Sequence, residues 1–127
     1  MSFWASDLAA AEQWYTTLLG QPPYFVRPGY REFRIGDYQH ELGLIDRQYA
    51  PTGAPSGPGG AIVYWHTDGD MAAAVERLVE LGATVYEPPV ERGPGFVTAS
   101  VVDPFGNILG IMSNPHYLEV LAAATPA

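Results

Sequence analysis

Apolar residues recur along this chain with two different spacings, one typical of helices and one typical of strands. The same order of helical and strand-like segments occurs twice. Near the N-terminus they recur every three or four residues, at Leu8, Ala11, Tyr15 and Leu18. That spacing predicts a helix over residues 8–19, with Asp7 as its N-cap and Gly20 in the left-handed position that ends it. The pattern returns after a second aspartate and predicts another helix over residues 71–81, which Gly82 ends.

Strand-like runs surround each predicted helix. Short aromatic runs precede the helices, at residues 3–4 and 62–65. The runs that follow lie at residues 24–27, 30–35 and 39–45 in the first half, and at 84–87, 96–102 and 108–112 in the second. The irregular stretch 88–95 between two of them is predicted to be a mobile rim of a ligand site. Each half therefore follows the order strand, helix, strand, strand, strand.

The two copies predict a single α+β domain made of two βαβββ modules. Module one covers residues 1–48, a linker rich in Pro and Gly covers 49–60, and module two covers 61–117. The Ala-rich tail 118–127 is expected to be a short helix or disordered. We expect the modules to form a cupped, mostly antiparallel sheet with the helices on its outer face, which leaves the inner face to form a cavity.

The composition limits the classes of binding partner that we expect for this chain. The 127 residues include 14 acidic and 6 basic side chains, and the net charge of −8 argues against nucleic acid and against anionic membrane surfaces as partners. There is no cysteine, which excludes disulfides and thiolate chemistry. No apolar stretch approaches the ~20 residues of a membrane span, and no signal peptide is visible. We therefore expect a soluble cytoplasmic protein.

Five motifs stand in a distinctive order along the chain. They are Trp-Tyr-x-x-Leu-Leu-Gly at 14–20, Glu-Leu-Gly-Leu at 41–44, Tyr-Trp at 64–65, Leu-x-x-Leu-Gly-Ala at 78–83 and Asp-Pro-Phe-Gly-Asn at 103–107. Together they resemble the vicinal oxygen chelate superfamily, which includes glyoxalase I, bleomycin and fosfomycin resistance proteins, and extradiol dioxygenases. The ending at 109–117 is similar to that of uncharacterised glyoxalase-like members.

The resemblance implies four positions for the ligands of a divalent metal. The first falls at or before Met1, and the other three match Glu41, Ala61 and Gly110. Alanine and glycine offer no ligand side chain, so only Glu41 is retained, whereas zinc or iron sites need about three or four protein ligands. We therefore expect no metal ligands and no cofactor.

Glu41 is the candidate catalytic residue, as a general base or as the partner of a ligand amine or hydroxyl. The alternative is a structural acid that is hydrogen-bonded to a tyrosine or paired with an arginine such as Arg34. Strand alternation from the matched positions assigns an inner face that is mostly apolar. His66 is interpreted as a surface or cap residue, and His116 as part of a tail that could fold back over the cup. The predicted ligand-binding residues are Glu41, Trp65, Val63, Ala61, Gly110, Met112, Tyr30, Phe96 and His116.

The leading interpretation is a glyoxalase/bleomycin-resistance-like protein that binds a small organic molecule in a largely apolar cup, with an incomplete metal site. One alternative is a metal-dependent lyase, isomerase or dioxygenase in which Glu41, His66 and His116 act as displaced ligands. Another is a non-catalytic accessory or dimerisation module. Whether the chain is an enzyme stays open; if it is one, a lyase or oxidoreductase is expected, acting with or without metal. A homodimer is expected.

Overall fold

The computed structural model describes residues 1–124. Contacts between Cα atoms divide the chain into two compact units. The first unit comprises Met1–Gly57 and Phe105–Asn107, and the second comprises Pro58–Pro104 and the chain from Ile108 onward. Each unit contains one βαβββ module, so the predicted α+β class with two matching modules is confirmed.

The first unit contains one four-stranded sheet with strand order β1-β4-β3-β2, in which β1 runs parallel to β4 and the other pairs are antiparallel. Its elements are β1 (Ser2–Ala5), α1 (Leu8–Leu19), β2 (Phe25–Arg27), β3 (Tyr30–Ile35) and β4 (His40–Asp46). The predicted ends of α1 are confirmed. The carboxylate of Asp7 accepts from the N–H of Ala10 at 3.0 Å, and Gly20 has a φ of 71°.

Aromatic side chains form the core of the first unit. Tyr15 of α1 is fully buried, and its ring centroid lies 4.8 Å from that of Trp14, 6.2 Å from that of Phe3 and 6.5 Å from that of Phe33. Phe33 pairs with the buried Leu42 across β3 and β4. The helix therefore packs on the sheet face that carries Phe3, Phe33 and Leu42.

The second unit repeats the topology with strand order β5-β8-β7-β6, in which β5 runs parallel to β8 and the other pairs are antiparallel. Its elements are β5 (Tyr64–His66), α2 (Met71–Glu80), β6 (Thr84–Gly93), β7 (Phe96–Val102), β8 (Ile108–Ser113) and a terminal helix α3 (Pro115–Ala124). Its core is aliphatic, with Met71, Val75 and Leu78 buried on α2, and Ala99, Val101, Leu109 and Ile111 buried on the sheet.

Residues 88–93 differ from their prediction, whereas the tail follows one of its two alternatives, a short helix. Residues 88–93, predicted as part of a mobile rim, continue β6, and its pairing with β7 shifts register between Glu87 and Val90. Pro88 and Pro89 lie at this shift, and because proline has no N–H, the ladder is interrupted there without the strand ending. The tail forms α3, whereas residues 125–127 lie outside the described chain.

No helix within residues 1–124 combines the length and the apolar character that a membrane span requires.

Candidate functional site

A glycine occupies the same place in the sheet of each unit. The N–H of Gly43 donates to the carbonyl of Met1, and Gly43 pairs with Ser2 of β1. In the second unit the N–H of Gly110 donates to the carbonyl of Val63, and Gly110 pairs with Tyr64 of β5. Gly43 is therefore the counterpart of Gly110.

This equivalence corrects the sequence comparison of the two halves. Glu41 and Gly110 both match ligand positions of the resembled family, which makes them expected counterparts in the two halves, but the register aligns Gly110 with Gly43. Glu41 lies two residues before Gly43, so its counterpart is Ile108. If Gly110 is a ligand position of the resembled family, the duplicated position in the first unit is Gly43, which has no side chain either.

We call the sheet face that carries this glycine the glycine face of each unit. Residues in register share a face, as do residues two apart along a strand. In the first unit this face carries Ser2, Trp4, Tyr30, Glu32, Arg34, Glu41, Gly43 and Ile45. In the second unit it carries Tyr64, His66, Thr98, Ser100, Val102, Ile108, Gly110 and Met112.

The first-unit glycine face holds a charged network around Tyr30. The hydroxyl of Tyr30 donates to Oε1 of Glu32 at 2.8 Å. Nη2 of Arg34 lies 3.4 Å from Oε2 of Glu32 and 3.3 Å from Oε1 of Glu41. Glu41 is therefore paired with Arg34, as the structural alternative proposed, and its side chain is 56% exposed. The structure brings together Tyr30 and Glu41, two of the predicted site residues.

The surroundings of Tyr30 make its hydroxyl a poor acid. Burial is the main cause, and the hydrogen bond to the carboxylate of Glu32 adds to it, so that the pKa of Tyr30 rises from 10.0 to about 12. The negative charges of Glu32 and Glu41 act in the same direction, whereas Arg34 acts against them. Tyr30 is therefore a neutral hydrogen-bonding group at physiological pH.

The second-unit glycine face is neutral along the same positions and contains a histidine that the sequence interpretation misjudged. The His66 side chain is only 9% exposed, its ring is stacked on that of Tyr117 with centroids 4.9 Å apart, and its Nδ1 lies 3.7 Å from Oδ1 of Asp68. The prediction of a surface or cap residue is wrong. Alternation relative to Gly110 would have placed His66 on this face, but Tyr117 comes from a helix that the sequence could not position.

The strand register places the predicted ligand-binding residues of β5 and β8 on opposite faces of the sheet. Trp65 pairs with Ile111, so it lies on the face opposite to Gly110 and Met112, which share the glycine face. The prediction counted the alternation from Ala61, but the strand begins only at Tyr64. Ala61 and Val63 lie before the strand and are exposed.

The remaining predicted contacts lie elsewhere in the second unit. Phe96 begins β7 and is half-buried. His116 lies on α3, where its side chain is 80% exposed and its Nδ1 is 3.8 Å from Oε2 of Glu119. Helix α3 therefore turns His116 toward solvent and places the neighbouring Tyr117 on the sheet.

The two glycine positions do not fit a metal ligand. A Cβ added to Gly110 would lie 2.7 Å from Cδ1 of Tyr64 and 2.9 Å from the carbonyl oxygen of Val63. A Cβ on Gly43 would lie 2.9 Å from the ring and the hydroxyl of Tyr30. A tyrosine ring thus fills the space in which a ligand side chain would begin in each unit. No group of three or more His, Asp or Glu side chains able to hold a metal occurs within residues 1–124.

Comparison with known proteins agrees with the resemblance that the sequence motifs indicated. A family profile described as Glyoxalase/Bleomycin resistance protein/Dioxygenase superfamily matches residues 1–111. No curated protein matches the chain.

Solved structures with the same fold include a glyoxalase-related enzyme from Fulvimarina pelagi, with 23% identity, a TM-score of 0.74, and coverage of 91% of this chain and 86% of that one. A lactoylglutathione lyase from Agrobacterium tumefaciens gives 22% identity, a TM-score of 0.68 and 92% coverage of both chains. At these identities the likeness shows the fold alone.

Proposed function

Because this chain belongs to the glyoxalase/bleomycin resistance protein/dioxygenase superfamily, we propose that it binds a small organic molecule through the glycine face of its first unit. Members of this superfamily often bind small molecules. The chain would act as a homodimer in the cytoplasm, with Glu41 as the general base if it catalyses a reaction. An incomplete metal site is part of the proposal.

The observation that carries the proposal is an imbalance of charge. Two carboxylates, of Glu32 and Glu41, share the single guanidinium of Arg34. At neutral pH these three side chains together carry a net charge of −1. A bound cation would compensate it, and the net charge of −8 over the whole chain would attract such a ligand from a distance. The preferred ligand is therefore cationic.

Exposed aromatic rings beside the network favour a flat ligand. The guanidinium of Arg34 lies 4.6 Å from the ring centroid of Tyr24, whose residue is 70% exposed. The ring of Phe25, a residue that is 40% exposed, lies 6.4 Å from that of Tyr30. Such rings stack on planar groups and on cations. The proposed ligand class is a small aromatic molecule that carries a positive charge.

The metal-dependent alternative has less support. It requires His66 and His116 to act as displaced ligands, but His66 is covered by the ring of Tyr117 and His116 is turned toward Glu119. The ligand contacts predicted for Ala61, Val63, Trp65, Phe96, Gly110 and Met112 remain predictions, since the charge argument does not involve them.

The proposal is tested by titrating the protein with benzamidinium and with its neutral isostere benzamide in a calorimeter. We expect saturable binding of benzamidinium and weaker binding of benzamide, by up to about fivefold, because an exposed ion pair contributes up to about 1 kcal/mol. The variants Glu32→Gln and Glu41→Gln should each remove most of this difference. Glu76→Gln on the exposed side of α2 is the matched control and should leave it intact.

Equal binding of the two probes, or binding that neither Glu32→Gln nor Glu41→Gln weakens, would contradict the proposal. Loss of benzamidinium binding in Glu76→Gln would show that the attraction comes from the overall charge of the chain and not from the network.

A further inference from the structure

The guanidinium of Arg34 lies at the place where the proposed cationic ligand would bind. Its Nη2 lies 3.4 Å from Oε2 of Glu32 and 3.3 Å from Oε1 of Glu41. Its central carbon lies 4.6 Å from the ring centroid of Tyr24. Carboxylates and an aromatic ring are also the groups that bind a small planar cation. The Arg34 side chain and such a ligand therefore compete for the same contacts.

Arg34 is bound more loosely than two other arginines of the chain. Nε of Arg31 lies 2.7 Å from Oε1 of Glu12, and Nη2 of Arg92 lies 2.7 Å from Oε1 of Glu87. Charge-assisted N–H···O bonds ordinarily span about 2.7–2.9 Å. The two contacts of Arg34 are longer, and in them a single nitrogen serves both carboxylates.

A second nitrogen of Arg34 makes no hydrogen bond. Its Nε is inaccessible to solvent and has no partner within residues 1–124. Buried donors in native proteins are nearly always paired, and an unpaired donor is destabilising. In solvent the same N–H is hydrated. Release of the guanidinium therefore offsets part of the ion-pair energy that its departure removes.

The surroundings of Arg34 are open to solvent on one side. The side chain of Arg34 is 32% exposed and that of Glu41 is 56% exposed, whereas Tyr24 is 70% exposed as a residue. A long and partly exposed side chain reaches other staggered rotamers without a change of the backbone. Once the guanidinium has rotated outward, the carboxylate of Glu41 and the ring of Tyr24 can contact a ligand that arrives from solvent.

We propose that Arg34 is an internal occupant of this ligand site, and that a small planar cation with an amidinium or guanidinium group binds by displacing it. The inference rests on the proposed function, because it concerns the same site. An amidinium carries N–H groups on two nitrogens, so that Glu32 and Glu41 each accept from a nitrogen of their own. The ligand thereby gains contacts that the single Nη2 of Arg34 shares between two carboxylates.

Displacement is measured in the unchanged protein through the Nε–H signals of its arginines. All six basic side chains are arginines, and the variant Arg34→Gln assigns the Arg34 signal by its absence. A buried N–H exchanges slowly with water, and an exposed one exchanges fast. On saturation with benzamidinium, we expect the exchange rate of the Arg34 Nε–H to rise toward that of the exposed Arg27. The rate at Arg31 should stay unchanged.

Variants test the competition by calorimetry. Benzamidinium should bind Arg34→Ala about three- to tenfold more tightly than the unchanged protein, because the ligand no longer competes for two exposed ion pairs. Methylguanidinium, which reproduces the end of an arginine side chain, should bind the same variant with saturation.

Two further variants complete the comparison. Arg34→Met removes the charge but keeps an apolar stem, so it should also bind benzamidinium more tightly, which keeps the test independent of the cavity left by alanine. Arg92→Ala is the matched control, because it frees the single carboxylate of Glu87 in the second unit. It should leave the affinity for both probes at the level of the unchanged protein.

The outcomes separate this inference from the proposed function. If benzamidinium binds the unchanged protein at least as tightly as Arg34→Ala and Arg34→Met, or binds it without faster exchange at Arg34, the inference is wrong and the proposed function stands. Binding to the two variants alone would support the inference and contradict the proposed function for the unchanged chain. Binding to none of the three forms would contradict both.

Discussion

The two units share one topology and differ in what they place on it. On the first-unit glycine face, Glu32, Arg34 and Glu41 form a charged network. Their counterparts by register, Ser100, Val102 and Ile108, are neutral. Because the strand order is the same in both units, the chemistry of this face does not determine the topology.

The helix-facing sides of the two sheets differ in another way. The first unit fills its core with Phe3, Tyr15 and Phe33, whereas the second uses aliphatic residues such as Leu78 and Val101. Both sets are apolar and recur at the same spacing. The comparison indicates that the spacing of apolar residues on the helix-facing side specifies the fold. The residue types on the glycine face can differ between the units without changing that fold.

The largest expected effect compares the two cores. Phe33→Ala should lower the free energy of unfolding by about 3–5 kcal/mol, because it removes a fully buried ring. Val101→Ala, at the counterpart position, removes only two methyl groups and should cost about 2 kcal/mol. Urea denaturation followed by circular dichroism measures both. Equal losses of unfolding free energy would mean that the volume of the removed groups does not determine the cost. The two cores would then tolerate cavities differently.

The next effect compares the two glycines. In Gly110→Ala the added Cβ would meet the backbone carbonyl of Val63, which cannot rotate away, so we expect a loss of about 3 kcal/mol. In Gly43→Ala it would lie 2.7 Å from the hydroxyl of Ser2 and 2.9 Å from the ring and hydroxyl of Tyr30, which are side-chain atoms that can move, so about 1–2 kcal/mol is expected. Thermal unfolding of both variants tests the order, and a less stable Gly43→Ala would reverse it.

A smaller effect concerns the pH dependence of stability in the first unit. The folded protein raises the pKa of Tyr30 from 10.0 to about 12, so the folded state holds its proton more tightly than the unfolded state. Stability from this source is complete below about pH 10 and falls as pH rises toward 12. Tyr30→Phe should lack this decline in urea midpoints measured across that window. A decline of the same size in the variant would assign it to other groups.

The smallest effect compares Glu41 with its counterpart. Glu41→Gln breaks an exposed ion pair with Arg34 and should change the free energy of unfolding by at most about 0.5 kcal/mol. Ile108→Val removes a methylene from a buried side chain and should cost about 0.5–1.5 kcal/mol. Urea midpoints of the two variants give the comparison. A larger loss for Glu41→Gln would mean that the network stabilises the sheet more than its exposure suggests.

Much of the fold could be predicted from local patterns. The caps and apolar spacing of α1 predicted residues 8–19, and the structure has Leu8–Leu19. Strands β3 and β7 also have their predicted bounds. These elements are predictable because caps, turns and periodicity act between residues close in sequence. Residues 88–93 were missed because two prolines indicate a loop locally, whereas pairing with β7 retains the strand.

The candidate site was less predictable than the fold. Tyr30 and Glu41 were named from the sequence, and the register brings them together through Arg34. Trp65 was assigned to the face of Gly110 because the true start of β5 was unknown, and a shift of one residue reverses every side chain of a strand. His66 was missed because its burial depends on a helix that contacts it from far along the chain.

The sequence by itself determined the two matching modules, their helices and the family to which the chain belongs, because these depend on the spacing of apolar residues and on short motifs. Only the tertiary structure decided that Gly43 corresponds to Gly110, that Glu41 is paired with Arg34, and that His66 is buried beneath Tyr117. Strand register and helix docking join residues distant in sequence, so no local pattern records which side chains they bring together.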